Sequence, residues 1–251
     1  MSDEIVTAGM IVIGDEILSG RTKDVNIGHV ADRMTLLGID LVEVRIVGDE
    51  QDAIVEAVNA LRHKCTYVFT TGGIGPTHDD ITADAISAAF GVPCTHHPQA
   101  MKDMAAYYAE RGLEFTESRK RMARTPEDAE LIENPVSKAP GIRTGNVYTM
   151  AGVPKIMQAM LDAIAPTLKG GAKIHSRHVD APLGEGDIGG PLGRLQEKHP
   201  DTMMGSYPRY EDGNYSTQLV VRGRDLKAVE AAMADVSAMV SELSAAKATM
   251  N

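Results

Sequence analysis

Short apolar runs alternate with segments of helical periodicity along the first 90 residues of this chain. Nearly continuous apolar runs predict strands, and apolar residues that recur every three or four positions predict helices. The predicted strands cover residues 5–13, 40–47 and 66–71, and the predicted helices cover residues 26–37, 52–63 and about 80–90. Alternation of this kind is typical of right-handed crossovers onto a parallel sheet, so we expect an α/β fold.

The chain between residues 91 and 170 predicts surface helices and short strands. Helices are expected over residues 99–111, 117–124 and 154–168, and short strands joined by turns over residues 129–150. The pair Gly170-Gly171 is the strongest break in this pattern. We therefore place a domain boundary there, with one domain over residues 1–170 and a second over residues 171–251.

The second domain has a pattern of its own. Strands are predicted over residues 173–180, 202–207 and 216–222, a turn over residues 211–214, and helices over residues 187–198 and 226–243. This order predicts a small α+β subdomain. The last helix carries an apolar stripe formed by Val229, Met233, Val236, Val240 and Leu243. We expect the stripe to pack against its own sheet, and contact with another subunit is the alternative.

Composition and charge narrow the classes of function. The 251 residues are 43% hydrophobic and 24% charged, the balance of a globular protein with a buried core. The net charge of −10 argues against a nucleic-acid partner, which needs a basic surface. Two distant cysteines predict reduced thiols in a cytoplasmic protein. The N-terminus lacks the basic start of a signal peptide, and no apolar run approaches the roughly 20 residues that span a bilayer, so no membrane partner is expected.

The segment TTGGIGPTHDDIT at residues 70–82 is the strongest chemical signal. Glycines at the end of a strand allow positive φ and let a ligand approach the backbone closely. The amide groups of such a loop, and of the helix that follows it, form an anion site. The segment has no Walker lysine, and its glycine spacing does not fit the dinucleotide fingerprint. The alternative is a tight turn in which Thr77 or Thr82 only caps a helix.

Acidic residues follow the ends of the same predicted strands. Asp15 and Glu16 follow the first strand, Asp49 follows the second, and Asp79 and Asp80 follow the third. Because the carboxyl ends of parallel strands share one rim of the sheet, we expect Asp15, Glu16, Asp49 and Asp80 to converge there. Several carboxylates in a small site need a cation or raised pKa values. The sequence therefore predicts Mg²⁺ or a similar hard divalent cation that bridges to a phosphorylated ligand.

Four motifs resemble the molybdopterin-binding domain shared by MoaB, MogA and gephyrin, and most of all its CinA branch. They are GDEILSGRTKDVN at residues 14–26, VGDE at 47–50, TTGGIGPTHDDIT at 70–82 and APG at 139–141. The segment AGVPKIM at 151–157 is similar to a further motif of that branch, with Ala151 in place of the usual proline. The resemblance covers about residues 5–168. It implies a three-layer α/β/α domain, with a mostly parallel sheet, that binds a pterin or nucleotide phosphate at the rim of the sheet.

The resemblance also implies roles for individual residues. Asp49 and Asp80 match acids that serve metal-dependent chemistry in the family, and they are the predicted catalytic and metal-binding residues, with Mg²⁺, Mn²⁺ or Co²⁺ as cofactor. The predicted ligand-binding residues are Gly14, Asp15, Glu16, Asn26, Thr71, Gly72, Gly73, Gly75, Pro76, Thr77, Asp79 and Gly152. Arg121 and Met122 depart from the family pattern, which has a Lys-Gln pair at these positions.

The end of the chain resembles the subdomain that follows this domain in CinA and in eukaryotic FAD synthases. The matching segments are VDAPLGEGDIGGPL at residues 179–192 and SYPRYEDGNYSTQLVV at residues 206–221. The resemblance implies a metal-dependent nucleotide pyrophosphohydrolase acting on ADP-ribose- or FAD-like substrates, as a homo-oligomer. The alternatives are a non-catalytic pterin- or nucleotide-binding module and a molybdopterin adenylyltransferase.

Overall fold

The computed structural model describes residues 5–211 and 214–250. The chain divides into two compact units, residues 1–171 and residues 172–251. The turn predicted over residues 211–214 includes Asp212 and Gly213, which lie outside the described residues. Within the described ranges, no helix combines the length and the apolar character that crossing a bilayer requires.

The first unit contains the longer series of elements. Its strands are β1 (Val6–Ile13), β2 (Ile39–Val47), β3 (Tyr67–Thr71), β4 (Cys94–His96), β5 (Arg124–Pro126), β6 (Glu130–Ile132), β7 (Gly141–Thr144) and β8 (Val147–Met150). Its α-helices are α1 (Asp15–Leu18), α2 (Asn26–Leu36), α3 (Gln51–Arg62), α4 (Thr82–Phe90), α5 (Pro98–Glu110), α6 (Glu117–Lys120) and α7 (Pro154–Ile164).

A central sheet in the order β2-β1-β3-β8-β7-β6 organises this unit. β2, β1, β3 and β8 are parallel to one another, whereas β7 and β6 continue the sheet in antiparallel fashion. Apolar residues of α2 and α7 pack on one face of the sheet, and those of α3 and α4 pack on the other. This arrangement confirms the predicted three-layer α/β/α fold with a mostly parallel sheet.

Periodic apolar residues explain why the helices of this unit form where they do. Val30 and Met34 of α2 are fully buried, as are Ile54, Val58 and Leu61 of α3. Residues three or four positions apart lie on one face of a helix, and that face is the one that meets the sheet. The helices predicted over residues 26–37 and 52–63 therefore form with bounds that differ by at most one residue at each end.

One departure from the predicted elements follows α6. The helix predicted over residues 117–124 ends at Lys120, and a 3₁₀ turn over Arg121–Ala123 leads into β5. β5 pairs with β4, a strand that the sequence pattern did not predict. Pro126 has no amide hydrogen to continue a helix, and strands of three residues carry too little periodicity to be recognised.

The second unit is a small α+β subdomain, as predicted. It comprises β9 (His175–Ala181), α8 (Glu185–Lys198), β10 (Met203–Glu211), β11 (Asn214–Gly223) and α9 (Leu226–Met250). The strands form an antiparallel sheet in the order β10-β11-β9. Val229, Val236 and Val240 of α9 are buried with apolar residues of this sheet and of α8. The apolar stripe of the last helix thus packs within its own unit.

Candidate functional site

The ends of four parallel strands bring the predicted site segments to one rim of the sheet. β2, β1, β3 and β8 lie side by side in this order with the same direction. The segments that follow them are Gly48-Asp49, Gly14-Asp15-Glu16, Gly72-Gly73 and Ala151-Gly152. In open α/β sheets this rim is where ligands bind. The topology therefore places segments that are far apart in the chain next to one another.

The turn after β3 requires glycine at two positions. The φ angle is 103° at Gly72 and 65° at Gly73, a region that residues with side chains rarely adopt. A Cβ atom at Gly72 would lie 2.0 Å from the carbonyl oxygen of Ile13, and one at Gly73 would lie 2.2 Å from Oγ1 of Thr82. The Thr82 hydroxyl donates to the Gly72 carbonyl over 3.0 Å, and the Thr82 amide donates to the Gly73 carbonyl over 3.0 Å. Thr82 thus ties the start of α4 to the glycine turn.

The rest of the glycine loop folds around the carboxylate of Asp80. Oδ2 of Asp80 accepts hydrogen bonds from the amide of Thr77 over 2.7 Å and from its hydroxyl over 2.6 Å. A Cβ atom at Gly75 would lie 2.7 Å from the same oxygen, so a glycine there leaves room for the carboxylate. Because Asp80 belongs to this loop, α4 begins at Thr82 and not at residue 80 as predicted. Asp80 therefore has one oxygen engaged by the loop, while Oδ1 accepts no hydrogen bond from the described residues.

Arg121 fixes the same loop from the side of β5. Its Nε donates to the carbonyl oxygen of Thr77 over 3.1 Å, and its Nη2 donates to that of Asp80 over 3.2 Å. The neighbouring Thr77 side chain lowers the pKa of Asp79, and the positive charge of Arg121 lowers that pKa further. The motifs did not assign this role to Arg121, which is 41 residues beyond Asp80 in the chain. The sequence signal that could have indicated it is the basic run Arg119-Lys120-Arg121.

Asp15 and Asp49 join the ends of β1 and β2. The amide of Asp15 donates to Oδ2 of Asp49 over 2.9 Å, and the amide of Asp49 donates to Oδ1 of Asp15 over 3.3 Å. A Cβ atom at Gly48 would lie 2.6 Å from Oδ1 of Asp15, so this glycine makes room for the exchange. Each carboxylate is at once a hydrogen-bond acceptor in the turn and a negative charge at the rim.

Burial raises the pKa of Asp49. The hydrogen bond from the Asp15 amide opposes this effect, and the negative charges of Asp15, Glu16 and Asp79 raise the pKa of Asp49 further. Asp79 belongs to the glycine loop, so the segments after β1, β2 and β3 interact electrostatically in one site. Carboxylates that make one another harder to ionise favour a cation among them.

The chemistry of these carboxylates suits a hard divalent cation. Carboxylate oxygens are the ligands that Mg²⁺ and Mn²⁺ take from proteins. Among the described residues, no group of three or more His, Cys, Asp or Glu side chains is arranged to hold a metal ion. A cation bound by Asp49 and Asp80 would therefore take its other ligands from water and from phosphate oxygens, as Mg²⁺ commonly does in nucleotide sites.

A cavity of about 60 Å³ lies beside the rim, where α2 begins, and we call it the Asn26 cavity. Asn26, Thr71 and Gly152 line it. The side-chain amide of Asn26 donates to the carbonyl oxygen of Gly152 over 2.8 Å. Oδ1 of Asn26 and Oγ1 of Thr71 are buried and have no hydrogen-bond partner in the described part of the chain. An unsatisfied buried polar group costs about 1–3 kcal/mol, which makes these two atoms candidates for ligand contact.

The remaining predicted site residues lie around these features. Asp15 and Glu16 are exposed after the buried Gly14, and Pro76, Thr77 and Asp79 are exposed on the glycine loop. Sequence reasoning missed Lys23, which also lines the Asn26 cavity.

Residues 9–170 match the family described as "Probable molybdopterin binding domain". The chain is a member of the molybdopterin-binding domain family. Residues 173–249 of this molybdopterin-binding domain protein match a second family, described as "FAD synthase, middle domain". Both matches confirm the resemblance that the motifs indicated.

Relatives place the molybdopterin-binding domain protein beside the CinA-like proteins. It is 39% identical to a protein of Aeropyrum pernix over 172 residues, which are 66% of this chain and 64% of that protein. It is 30% identical to a CinA-like protein of Salinibacter ruber over 210 residues, which are 80% of this chain and 51% of that protein. The chain therefore spans about half the length of this CinA-like relative and less than two thirds of the Aeropyrum protein.

A solved structure supports the same placement. The crystal structure of the protein CinA with unknown function from Thermoplasma acidophilum is 32% identical, with a TM-score of 0.59, and the match covers 65% of this chain and 98% of that chain. The likeness extends over a share of the chain similar to that of the molybdopterin-binding domain.

Proposed function

We propose that this molybdopterin-binding domain protein hydrolyses the pyrophosphate bond of a nucleotide such as ADP-ribose or FAD, with a divalent cation as cofactor. Membership of the family supports the general part of the proposal, a pterin or nucleotide as the small-molecule ligand. One observation carries the specific part. The carboxylates of Asp15, Glu16 and Asp79 all act on the pKa of Asp49, at the same rim as the glycine turn.

The glycine turn is the proposed seat of the phosphates. Gly72 and Gly73 shape the loop through their positive φ, and the loop leads directly into α4, whose N-terminus favours an anion. Amide groups held in this way stabilise charge on phosphoryl oxygens without reorganising. Asp49 and Asp80 would hold the cation, each through its Oδ1. When bound, the cation neutralises phosphate charge and lowers the pKa of a bound water.

The attacking water would lose its proton to bulk solvent, because the cation would lower the pKa of that water. Asp49 would have no free carboxylate oxygen for the proton, since Oδ1 would hold the cation and Oδ2 accepts the hydrogen bond of the Asp15 amide. The water oxygen bonds to the α-phosphorus, the bond from this phosphorus to the bridging oxygen breaks, and the bridging oxygen leaves with the other phosphate. The products from ADP-ribose are then AMP and ribose 5-phosphate.

The test is release of AMP from ADP-ribose, FAD and NADH, with and without Mg²⁺, Mn²⁺ or Co²⁺. Asp49→Asn and Asp80→Asn each keep an oxygen that can accept the hydrogen bonds of Asp15 and Thr77, so the loops are expected to stay folded. We expect both variants to lose roughly 100-fold or more of the activity, by analogy with the loss of residues that support metal sites. Asp32→Asn, on the exposed face of α2, is the matched control and should retain full activity.

Thermal unfolding gives a second readout that does not depend on turnover. Added Mg²⁺ or Mn²⁺ should raise the Tm of the wild-type protein and of Asp32→Asn, because a ligand that binds the folded state stabilises it. It should raise the Tm of Asp49→Asn much less. Full activity in Asp49→Asn and Asp80→Asn would contradict the proposed site.

A non-catalytic binding module is the second candidate function. The observation in its favour is that Asp80 uses one carboxylate oxygen to hold its own loop through Thr77. If Asp80 serves only the loop, the protein should bind a nucleotide or pterin phosphate and release no AMP with any of the three metals. Binding without turnover would therefore select this candidate over the hydrolase.

A further inference from the structure

The Asn26 cavity contains two polar atoms whose partners are not provided by the described protein. Asn26 is 4% exposed and Thr71 is 1% exposed, so neither side chain is satisfied by bulk solvent. Oδ1 of Asn26 and Oγ1 of Thr71 have no hydrogen-bond partner among residues 5–211 and 214–250. Buried polar groups are nearly always paired in proteins, so two of them beside one cavity indicate a bound group.

The hydrogen bond to Gly152 identifies which terminal atom of the Asn26 side chain is nitrogen and which is oxygen. The Gly152 carbonyl oxygen can only accept a hydrogen bond, so the atom that faces it over 2.8 Å must be the amide nitrogen of Asn26. Oδ1 is therefore the atom left without a partner. An amide oxygen only accepts hydrogen bonds, which means that its partner must be a donor.

The neighbouring strand position shows that Thr71 differs from an ordinary buried threonine. Thr70 is also fully buried, and its hydroxyl donates to Oγ1 of Thr149 over 3.0 Å. Successive side chains of a strand point to opposite faces, so Thr70 and Thr71 serve opposite sides of the sheet. Thr70 is paired within the protein, whereas the hydroxyl of Thr71 lies beside the Asn26 cavity.

The charges around the cavity disfavour an anion. Glu16 and Asp24 line it together with Lys23, so the carboxylates outnumber the ammonium group. Asp24 accepts a hydrogen bond from the Ile27 amide over 2.8 Å. A phosphate placed here would meet two carboxylates and the acceptor oxygen of Asn26.

We infer that the Asn26 cavity binds an uncharged, hydrogen-bond-donating part of the ligand, while the phosphates lie over the glycine turn. The donor is an N–H group of the base or an O–H group of the ribose. Oδ1 of Asn26 accepts from it, and the hydroxyl of Thr71 completes the contact. This inference rests on the nucleotide or pterin phosphate of the proposed function, but it does not require that the ligand be hydrolysed.

The test compares Thr71→Val with Thr70→Val in the full-length protein. Equilibrium dissociation constants would be measured by calorimetry for AMP, GMP, 2′-deoxy-AMP and ribose 5-phosphate. Thr71→Val removes a hydroxyl that has no protein partner, so we expect the free protein to keep or raise its Tm. We expect its affinity for AMP to fall roughly ten-fold, because one hydrogen bond is lost. Thr71→Ser keeps the hydroxyl and should restore the affinity.

Thr70→Val is the matched control. It breaks the hydrogen bond to Thr149, so its Tm should fall, while its affinity for AMP should stay within about two-fold of the wild type.

The affinities for the four probes identify the donor group of the ligand. If the donor is a ribose hydroxyl, Thr71→Val lowers the affinity for ribose 5-phosphate as much as the affinity for AMP. If it is the base, Thr71→Val leaves ribose 5-phosphate unchanged.

The outcomes separate this inference from the proposed function. Equal affinities of wild type and Thr71→Val for AMP and GMP would overturn the subsite, even if AMP is released from ADP-ribose. Weaker binding by Thr71→Val, without any hydrolysis by the wild type, would support the subsite and overturn the hydrolase. If the wild type binds none of the four probes, the subsite is overturned, whereas the hydrolase is overturned only if no AMP is released from ADP-ribose, FAD or NADH.

Discussion

At the scale of single residues, the candidate site is built from groups that serve the fold and the ligand together. Asp15 and Asp49 exchange hydrogen bonds between their amides and carboxylates, and Asp80 holds the loop that contains it. The same carboxylates supply the negative charge of the rim. A substitution here changes both local structure and charge. An informative variant must therefore keep the hydrogen bonds and alter the charge, or keep the charge and alter the hydrogen bonds.

The raised pKa of Asp49 predicts how stability depends on pH. A carboxyl group whose pKa is higher in the folded than in the unfolded state destabilises the fold when it is charged. That cost is present at neutral pH and disappears as the pH falls through the raised pKa toward the unfolded value of about 3.9. Asp49→Asn removes the charge and should therefore raise the free energy of unfolding at pH 7.

Urea unfolding at several pH values would measure this effect. The gain of Asp49→Asn over the wild type should shrink as the pH falls below the pKa of the folded-state carboxyl group. Asp32→Asn, in an exposed position, should show no such trend. A lower stability of Asp49→Asn at pH 7 would mean that the hydrogen bond to Asp15 outweighs the charge.

Gly72 is predicted to be intolerant of any side chain. Gly72→Ala would place a Cβ atom 2.0 Å from a backbone oxygen, at a φ of 103°. Strained φ and overpacking each cost about 1–3 kcal/mol, so we expect a loss of roughly 3 kcal/mol or more in unfolding free energy. Gly28→Ala is the control, because Gly28 lies in α2 with open space around it and should gain about 0.5–1 kcal/mol. Equal stability of the two variants in urea would contradict the geometry of the turn.

At the scale of elements, periodicity predicted the long helices and central strands but not the short pieces. α2 and α3 bury whole stripes, so their positions could be read from residues such as Val30 and Ile54. β4 and β5 have three residues each and are defined by pairing with one another. Such pairing depends on tertiary contacts that a local pattern does not contain.

The interior of the site was predictable only in part for the same reason. That the acids would gather at one rim follows from parallel strands. The hydrogen bond that Oδ2 of Asp80 accepts from Thr77 depends on the conformation of the loop. The hydrogen bond from Arg121 to the Asp80 carbonyl joins residues that are 41 positions apart in the chain. Oδ1 of Asn26 and Oγ1 of Thr71 could be recognised as unpaired only once the structure showed that both residues line the same cavity as Gly152.

The tether from Arg121 predicts a loop that loosens when the guanidinium is removed. Arg121→Met deletes both hydrogen bonds to the carbonyls of Thr77 and Asp80. Amide hydrogen exchange over residues 75–80 should become faster, by roughly five- to ten-fold for a loss of about 1 kcal/mol. Arg119→Met removes a guanidinium of α6, two positions before Arg121, that donates to the Glu114 carbonyl instead, and it should leave exchange in this loop unchanged. Unaltered exchange in Arg121→Met would show that the loop closes without the tether.

At the scale of the whole molecule, the two units have separate cores. The first unit buries its apolar residues on both faces of a mixed sheet, and the second buries its own around α8, α9 and an antiparallel sheet. The candidate site uses residues of the first unit alone. A destabilising substitution in the core of the second unit should therefore lower the stability of that unit alone.

Val236→Ala tests the independence of the two cores. Val236 is fully buried in the second unit, and its truncation should cost roughly 2 kcal/mol there. Hydrogen exchange should accelerate in β9, β11 and α9 but not in β1 or β3. Glu242→Ala, on the exposed face of α9, should change neither unit. Faster exchange in β1 after Val236→Ala would show that the units unfold together.

The bond from Asn26 to Gly152 spans 126 residues of chain. During synthesis, the side chain of Asn26 emerges early but cannot acquire its fixed direction until Gly152 has left the ribosome and β8 has joined the sheet. Nascent chains that end before Gly152 should consequently bind the uncharged part of the ligand more weakly than the 251-residue chain does, however much of the sheet they have assembled.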